Sequence, residues 1–434
     1  MPRTSLSFPI SNNRKFKDAI LNWTRNYKQV VWLDGNAHVD KYSSADAIVA
    51  VARQTNGSVF QTQNIDKVQQ FIDQKKDWLF GYITYDFKNS LEDLKSENSD
   101  TLDFPEIHFF CPEKIILIKN GKAEFCYLEK YKDEIEDDFL NITQKQIPRE
   151  SYPSKGIRIQ MRIHKDAYFE KVNSMLAHIH RGDIYEANFC QEFYSTKSSI
   201  DPWIIYKNLN RISEPPFAAF LRLQDKYLLS ASPERYVKRK NGRVISQPIK
   251  GTARRDSNRV KDEVLKNQLA VNPKERAENI MITDLVRNDL SKSALKGSVH
   301  VDELCEVYSY KQVHQMVSTV SCKVSQETPS TQIIKETFPM GSMTGAPKVS
   351  SMKLIEYLEE SKRGLYSGTV GYFDPDGDFD FNVVIRSILY NASKEYVSYS
   401  VGSAITSNSV PEKEYEECLI KAKAMRSVLE GENT

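Results

Sequence analysis

The sequence predicts an α+β fold, and three observations carry that prediction. Short β-rich runs come in groups and are not interleaved singly with helices, which favours antiparallel sheets over a doubly wound parallel one. Apolar residues recur at helical spacing in several separate segments. The chain has 434 residues, of which 40% are hydrophobic and 11% aromatic, enough to bury a sizeable core in an ordinary folded protein.

In chain order, residues 30–33, 79–83, 114–119 and 123–127 are β-branched or aromatic runs that read as strands, and 66–75 is an amphipathic helix. Residues 129–152 are charged and run into prolines at 148 and 153, so they read as a link. A boundary is therefore expected near residue 150, between an N-terminal α+β region (1–150) and a second region (151–434). In the second region, Tyr168, Val172, Met175, Leu176 and Ile179 mark a helix over 165–181, which Gly182 stops. Strands follow at 184–193, 217–223, 227–230, 236–239, 243–246, 368–373 and 381–390. Helices follow at 259–269, 273–286, 331–338, 347–359 and 411–429. No internal repeat or low-complexity stretch is present.

Composition excludes several functions. Sixty Lys and Arg residues face 58 Asp and Glu, a formal charge of +2, so no basic surface is expected for nucleic acid. No apolar run approaches the ~20 residues of a membrane-spanning helix. The first residues lack an apolar segment followed by a small-residue cleavage site, so a cytoplasmic location is expected. Cys111, Cys126, Cys190, Cys305, Cys322 and Cys418 are scattered without a CxxC pair, which suits reduced thiols.

Two acidic helices stand out. Glu275 and Glu278 lie three apart after Pro273, and Glu414 and Glu417 lie three apart after Pro411; residues at i and i+3 share a helix face. Either pair alone reads as a solvated face. If the faces met, their oxygens would suit Mg²⁺, which takes one or two protein carboxylates and fills its other positions with water and substrate. Lys421, one turn after Glu417, could pair with an anionic substrate there.

Three further segments carry candidates. In Gln247-Pro-Ile-Lys-Gly-Thr-Ala-Arg-Arg255, Lys250 sits beside two arginines, and a desolvated or cation-flanked lysine loses its proton and becomes a nucleophile. Glu234, in Ser232-Pro-Glu-Arg235, is a candidate general acid if enclosed. The turn Phe338-Pro-Met-Gly-Ser-Met-Thr-Gly-Ala-Pro-Lys348 ends in a helix start, which suits an anion. It lacks the GxxxxGK[ST] phosphate loop, so a carboxylate fits better than a nucleotide.

Taken together, these segments resemble the chorismate-utilising family that includes the large subunits of anthranilate and aminodeoxychorismate synthases. The resemblance also rests on Gly182-Asp-Ile-Tyr-Glu-Ala-Asn188, Ala277 to Asp289, Arg363-Gly-Leu-Tyr-Ser-Gly368, Ile385-Arg386 and Gly81-Tyr-Ile-Thr-Tyr-Asp86. It implies a large α+β unit with two facing antiparallel sheets. It further implies Mg²⁺ on Glu278 and Glu417, supported by Glu275 and Glu414. Arg386 and Tyr366 would hold the enolpyruvyl carboxylate, with Lys421, Thr344 and Gly402 around the carboxylate sites.

Lysine at position 250 is the mark of the members that aminate chorismate at C4, since anthranilate-forming members have a small residue there. The resemblance therefore implies attack of Lys250 on C2, proton donation by Glu234 to the leaving C4 hydroxyl, and displacement of the lysine by ammonia, with Lys250 expected to titrate below a free lysine. An anthranilate synthase large subunit is the alternative. None of the cysteines lies in a Gly-x-Cys-x-Gly nucleophile turn, so ammonia is expected from a separate glutaminase subunit or from solution. Three positions depart from the family pattern: Glu186 stands for the usual glutamine, Gln315 for an expected histidine (with His314 beside it), and Gly402-Ser-Ala404 is less glycine-rich.

Overall fold

Two-residue alternation sets the layers of the protein. In the strand Gln29–Asp34, Val31 enters one apolar cluster while Val30 and Trp32 enter another on the opposite face. The computed structural model describes residues 1–11, 13–38, 41–53, 59–144 and 156–431. Among them, twelve strands form one sheet and ten form a second.

The first sheet runs Arg3–Pro9, Lys122–Leu128, Lys114–Lys119, Ala47–Ala52, Gln29–Asp34, Phe217–Leu223, Lys226–Ser232, Ser387–Asn391, Tyr396–Thr406, Glu186–Ser195, Gly345–Ala346. The second runs Ile249–Arg254, Val313–Lys323, Arg243–Gln247, Arg235–Lys240, Phe379–Asn382, Thr369–Phe373, Leu79–Ile83, Ile107–Phe110, Val59–Thr62. Two further strands flank them: Gln160–Met161 on Glu186–Ser195, and His300–Ser309 on Val313–Lys323. All pairings between these strands are antiparallel, as the α+β prediction required.

One face of the first sheet packs on the second sheet, where Val31, Leu221 and Leu389 meet Phe80, Val237, Phe373 and Phe381. Its other face is covered by the helices Asn13–Trp23, Lys165–Arg181, Pro202–Ser213 and Pro411–Glu430, through Ile20, Met175, Leu209 and Met425. Each such fully buried side chain contributes roughly 1.5–3 kcal/mol. The predicted stop after residue 181 is present, with Gly182 left-handed at φ 90°.

Two expectations change, and one helix appears that the sequence pattern did not mark. Residues 381–390 are not one strand: Phe379–Asn382 lies in the second sheet and Ser387–Asn391 in the first, and the chain crosses between them with Arg386 at φ 53°. The charged link holds a helix, Ile135–Gln144, because Ile135, Phe139 and Ile142 fall on one face and pack into the core. The helix Pro202–Ser213 is capped by Asp201, which accepts from Trp203 N and Ile204 N. The boundary expected near residue 150 lies outside the described residues, and strands from both sides of it share both sheets.

Candidate active site

Two chain crossings between the sheets build the centre of the site. At residues 232–235 the chain passes from the first sheet to the second, and at 383–386 it passes back. Ser232 Oγ donates to Val383 O (2.6 Å), Val383 N to Glu234 O (3.0 Å) and Ala231 N to Arg386 O (3.1 Å). Glu234 is 4% exposed, and its Oε1 accepts from Ser342 Oγ at 2.8 Å. Burial pushes its carboxyl up to about 7, against the pull of Ser342 and Lys250. It therefore holds a proton near neutrality, as a general acid needs.

Lys250 comes from the strand Ile249–Arg254 and spans the gap to the other sheet, where its Nζ lies 2.9 Å from Glu186 Oε1. Glu186 is 1% exposed, and its second oxygen, Oε2, is buried with no hydrogen-bond partner among the described residues. The expectation for Lys250 is overturned: burial pulls its ammonium down, but Glu186, Glu278 and Glu417 more than offset this and hold it above the ordinary range. Arg254 and Arg255 do not counter them, and Arg255 is bound instead to Asp262 at 2.7 Å.

The two acidic helices do converge on this lysine. Asn272 caps the helix Pro273–Ser291, accepting from Lys274 N and Glu275 N. Gly251 has φ +94°, and a Cβ on it would lie 3.2 Å from Glu275 Oε2, so the glycine makes room for that carboxylate. Burial raises Glu275, and raises Glu278 to about 7, while both feel Lys250. Glu417, from the helix Pro411–Glu430, is held below its usual range: burial pushes it up, and Lys421, 2.5 Å away, outweighs this. Lys421 also donates to Gly402 O at 2.8 Å. Glu414 instead turns inward and accepts from Ser403 Oγ. Among the described residues no three His, Cys, Asp or Glu side chains gather into a site made of protein ligands alone.

Arg386 and Lys421 line an opening of about 530 Å³ with Gln315, Tyr310 and Pro233. Among the described residues the Arg386 guanidinium has no hydrogen-bonding or ion-pairing partner, and burial lowers its pKa against Tyr366 and Glu417. A desolvated, unpaired guanidinium is a binding group for a carboxylate. Tyr366 is buried, with its hydroxyl 3.7 Å from Cys190 Sγ. Gly402 is needed where it stands, since a Cβ would fall 2.5 Å from Cys190 Sγ. Thr344 spends its hydroxyl on Met340 O (3.1 Å) and its carbonyl on Asn188 N (2.8 Å), so it shapes the loop. Strand alternation puts Gln315 at the opening, while His314 faces away to Asp262 (3.0 Å) and Ser309 (2.8 Å).

A buried acid, a lysine, converging carboxylates and an unpaired arginine thus occupy one place. The family described as chorismate binding enzyme matches residues 19–427. The chain belongs to this family of chorismate-binding enzymes. A Synechocystis protein named anthranilate synthase component I-like is 34% identical over 363 residues, covering 82% of this chain and 73% of that protein. Aminodeoxychorismate synthase component 1 of Bacillus subtilis is 32% identical over 361 residues, covering 81% and 76%. The crystal structure of anthranilate synthase component I from Streptococcus pneumoniae superposes with a TM-score of 0.76 at 23% identity, over 98% of this chain and 92% of that one. At that identity the match speaks for the fold.

In this chorismate-binding enzyme, sequence reasoning missed three supporting residues. Ser342 holds Glu234. Asn279 Nδ2 reaches both Lys250 O (3.1 Å) and Met316 O (3.2 Å), fixing the backbone of the lysine. Arg363 is buried against Glu359 at 2.6 Å and donates to Met343 O and Asn188 O, 2.7 Å each. It thereby clamps the Ser342 loop to the Glu186 strand. All three lie inside recognised motifs, but nothing local in the sequence marks their partners.

Proposed function

We propose that this enzyme aminates chorismate at C4 with ammonia, giving 4-amino-4-deoxychorismate on the route to p-aminobenzoate and folate, as component I of an aminodeoxychorismate synthase. One observation carries the reading: Lys250 acts on the proton-holding Glu234, and Glu417 acts on both Lys250 and the unpaired Arg386, so acid, lysine and anion-binding arginine are neighbours.

In this reading Arg386 and Tyr366 receive the enolpyruvyl carboxylate, and Lys421 and the Gly402 backbone flank the ring carboxylate. Glu278 and Glu417 would hold Mg²⁺, with Glu275 beside them, while Glu414 is turned to Ser403 instead. The donor set fits: the carboxylates come from two helices, burial holds Glu278 up at about 7 despite Lys250 and Lys274, so a divalent cation beside it would favour its ionised form, and Mg²⁺ needs only one or two such ligands. When bound, the ion supplies positive charge that anchors the substrate's carboxylate. The Lys250 amine forms a bond to C2 as the C4–O bond breaks, and Glu234 gives its proton to the departing hydroxyl, which leaves as water. Ammonia then bonds to C4, the C2–N bond breaks, and Glu234 recovers a proton from the new ammonium.

A separate glutaminase subunit is the proposed ammonia source, matching the "component 1" name borne by relatives. A cytoplasmic location accords with six free cysteines. Incubating the protein with chorismate, Mg²⁺ and ammonium salt, and separating products by mass, tests the function. A product retaining the enolpyruvyl group with nitrogen in place of one hydroxyl is expected. An aromatic product that has lost pyruvate refutes C4 amination and assigns anthranilate synthesis.

A further inference from the structure

We propose that Glu186 is the proton acceptor that frees the Lys250 amine, so that the nucleophile is generated inside the site rather than by solvent. The proposal rests on the reading above that Lys250 attacks the ring. Two observations carry it. Lys250 Nζ donates to Glu186 Oε1 at 2.9 Å, and this is the one ion pair Lys250 makes among the described residues. Glu186 Oε2 is buried and accepts from no group among those residues, which leaves the carboxyl with an oxygen that can carry the proton. A glutamine of the same size would offer Lys250 an acceptor for a hydrogen bond but could not take its proton.

The strand holds Glu186 rigidly in this role. Its backbone pairs with Thr406 on one side and Ala346 on the other, and its carbonyl accepts from Ser351 Oγ at 3.0 Å. The carbonyl also lies 2.1 Å from where a Cβ on Gly345 would be, so only glycine fits opposite it. The charged groups that face Lys250 are Glu186 from the strand Glu186–Ser195, Glu275 and Glu278 from the helix Pro273–Ser291, Glu417 from the helix Pro411–Glu430, and Glu234 from the crossing at 232–235. Lys274 and Glu275 act on Glu278 from its own helix. Glu278 and Glu417 are the proposed metal carboxylates, and among the described residues only Glu186 pairs with the Lys250 ammonium.

The proton balance closes. The resting pair is ammonium and carboxylate; transfer across the contact gives amine and carboxylic acid. The amine bonds to C2 and becomes a secondary ammonium, while Glu234 releases its proton with the hydroxyl. When ammonia bonds to C4 and the C2–N bond breaks, Lys250 leaves as a neutral amine and takes its proton back from Glu186. Glu234 is reprotonated from the C4 ammonium, and every group ends the cycle as it began.

Because the reactive form of the pair has the same proton count as its resting form, adduct formation should vary little between about pH 5 and 6.5, where Glu234 still holds its proton and a free lysine would be fully protonated. The test is single-turnover formation of the Lys250–ring adduct, with chorismate and saturating Mg²⁺ but no ammonia, followed by mass spectrometry across that pH range. Glu186→Gln should lose the flat profile and climb about tenfold per pH unit, because the amine must then lose its proton to solvent before it can react. Glu186→Asp, which keeps a proton acceptor, should restore a flatter profile, and it also guards against a Gln variant that folds poorly. A wild-type rate that climbs as steeply as that of Glu186→Gln overturns the proposal and leaves Glu186 an electrostatic partner. Absence of any adduct on wild-type Lys250 overturns the covalent reading of Lys250, and this proposal with it.

Discussion

Replacing Glu234 with glutamine should separate stability from catalysis. In the folded protein this carboxyl is raised from 4.5 to about 7, chiefly by burial. At 1.36 kcal/mol per pH unit, forcing it to ionise costs about 3 kcal/mol. The sign follows from proton linkage: between pH 4.5 and 7 the unfolded chain has released this proton and the folded chain still holds it. Wild-type stability therefore declines across that window and levels off above it. Glu234→Gln keeps an acceptor for Ser342 Oγ and removes the ionisation. Relative to wild type it should gain about 3 kcal/mol between pH 4.5 and 8, measured as the change in the difference between their denaturant unfolding curves. Turnover should fall roughly 10²- to 10⁴-fold, since the amide donates no acid proton. Wild-type turnover should also weaken above pH 7 as the acid ionises. A wild-type minus Gln difference that is equal at pH 5 and pH 8 would show that Glu234 ionises freely, and the general-acid assignment would fall with it.

Three further outcomes are expected. Glu278→Gln or Glu417→Gln should cost ~10²-fold or more in turnover and weaken dependence on added Mg²⁺; full activity of either variant in metal-free buffer refutes the ligand assignment. Arg386→Leu removes a charge-assisted contact of roughly 1.5–3 kcal/mol, so KM for chorismate should rise about 10- to 100-fold with the unfolding midpoint little changed. Arg363→Leu strands the buried Glu359 carboxylate and should destabilise by about 3–5 kcal/mol, with much of the loss recovered in Arg363→Leu/Glu359→Leu, as a double-mutant unfolding series will show.

Local pattern made much of the fold legible. Val30 to Leu33 and the helix over 165–181 reveal themselves through apolar spacing, and Gly182 through its left-handed stop. What sequence reasoning missed depends on residues far apart in the chain. Residues 381–390 read as one strand because their composition is uniform, yet the break at Arg386 exists only because two sheets need a crossing there. Residues 129–152 look like a link since their charges outnumber the apolar face of Ile135, Phe139 and Ile142. The same distinction holds in the site: motifs locate Glu234 and Lys250, but the titration of Lys250 depends on carboxylates at positions 186, 278 and 417. A neighbouring arginine at 254 or 255 is visible in the sequence, whereas the carboxylate 64 residues away is not.

The interleaving of the sheets bears on how the chain is made. Gln29–Asp34 takes its sheet neighbour from Phe217–Leu223, and Leu79–Ile83 takes its own from Thr369–Phe373. At roughly 5–20 residues per second of synthesis, the first of these strands leaves the ribosome about 10–40 seconds before its neighbour, and the second waits longer. Throughout that interval the edges of these two strands that face Phe217–Leu223 and Thr369–Phe373 lack their final neighbour, and pairing between strands so distant in sequence is slow even once both are present. The nascent protein is therefore a natural client for chaperones. Its yield on expression should respond to translation speed and temperature more strongly than the finished, extensively hydrogen-bonded enzyme does.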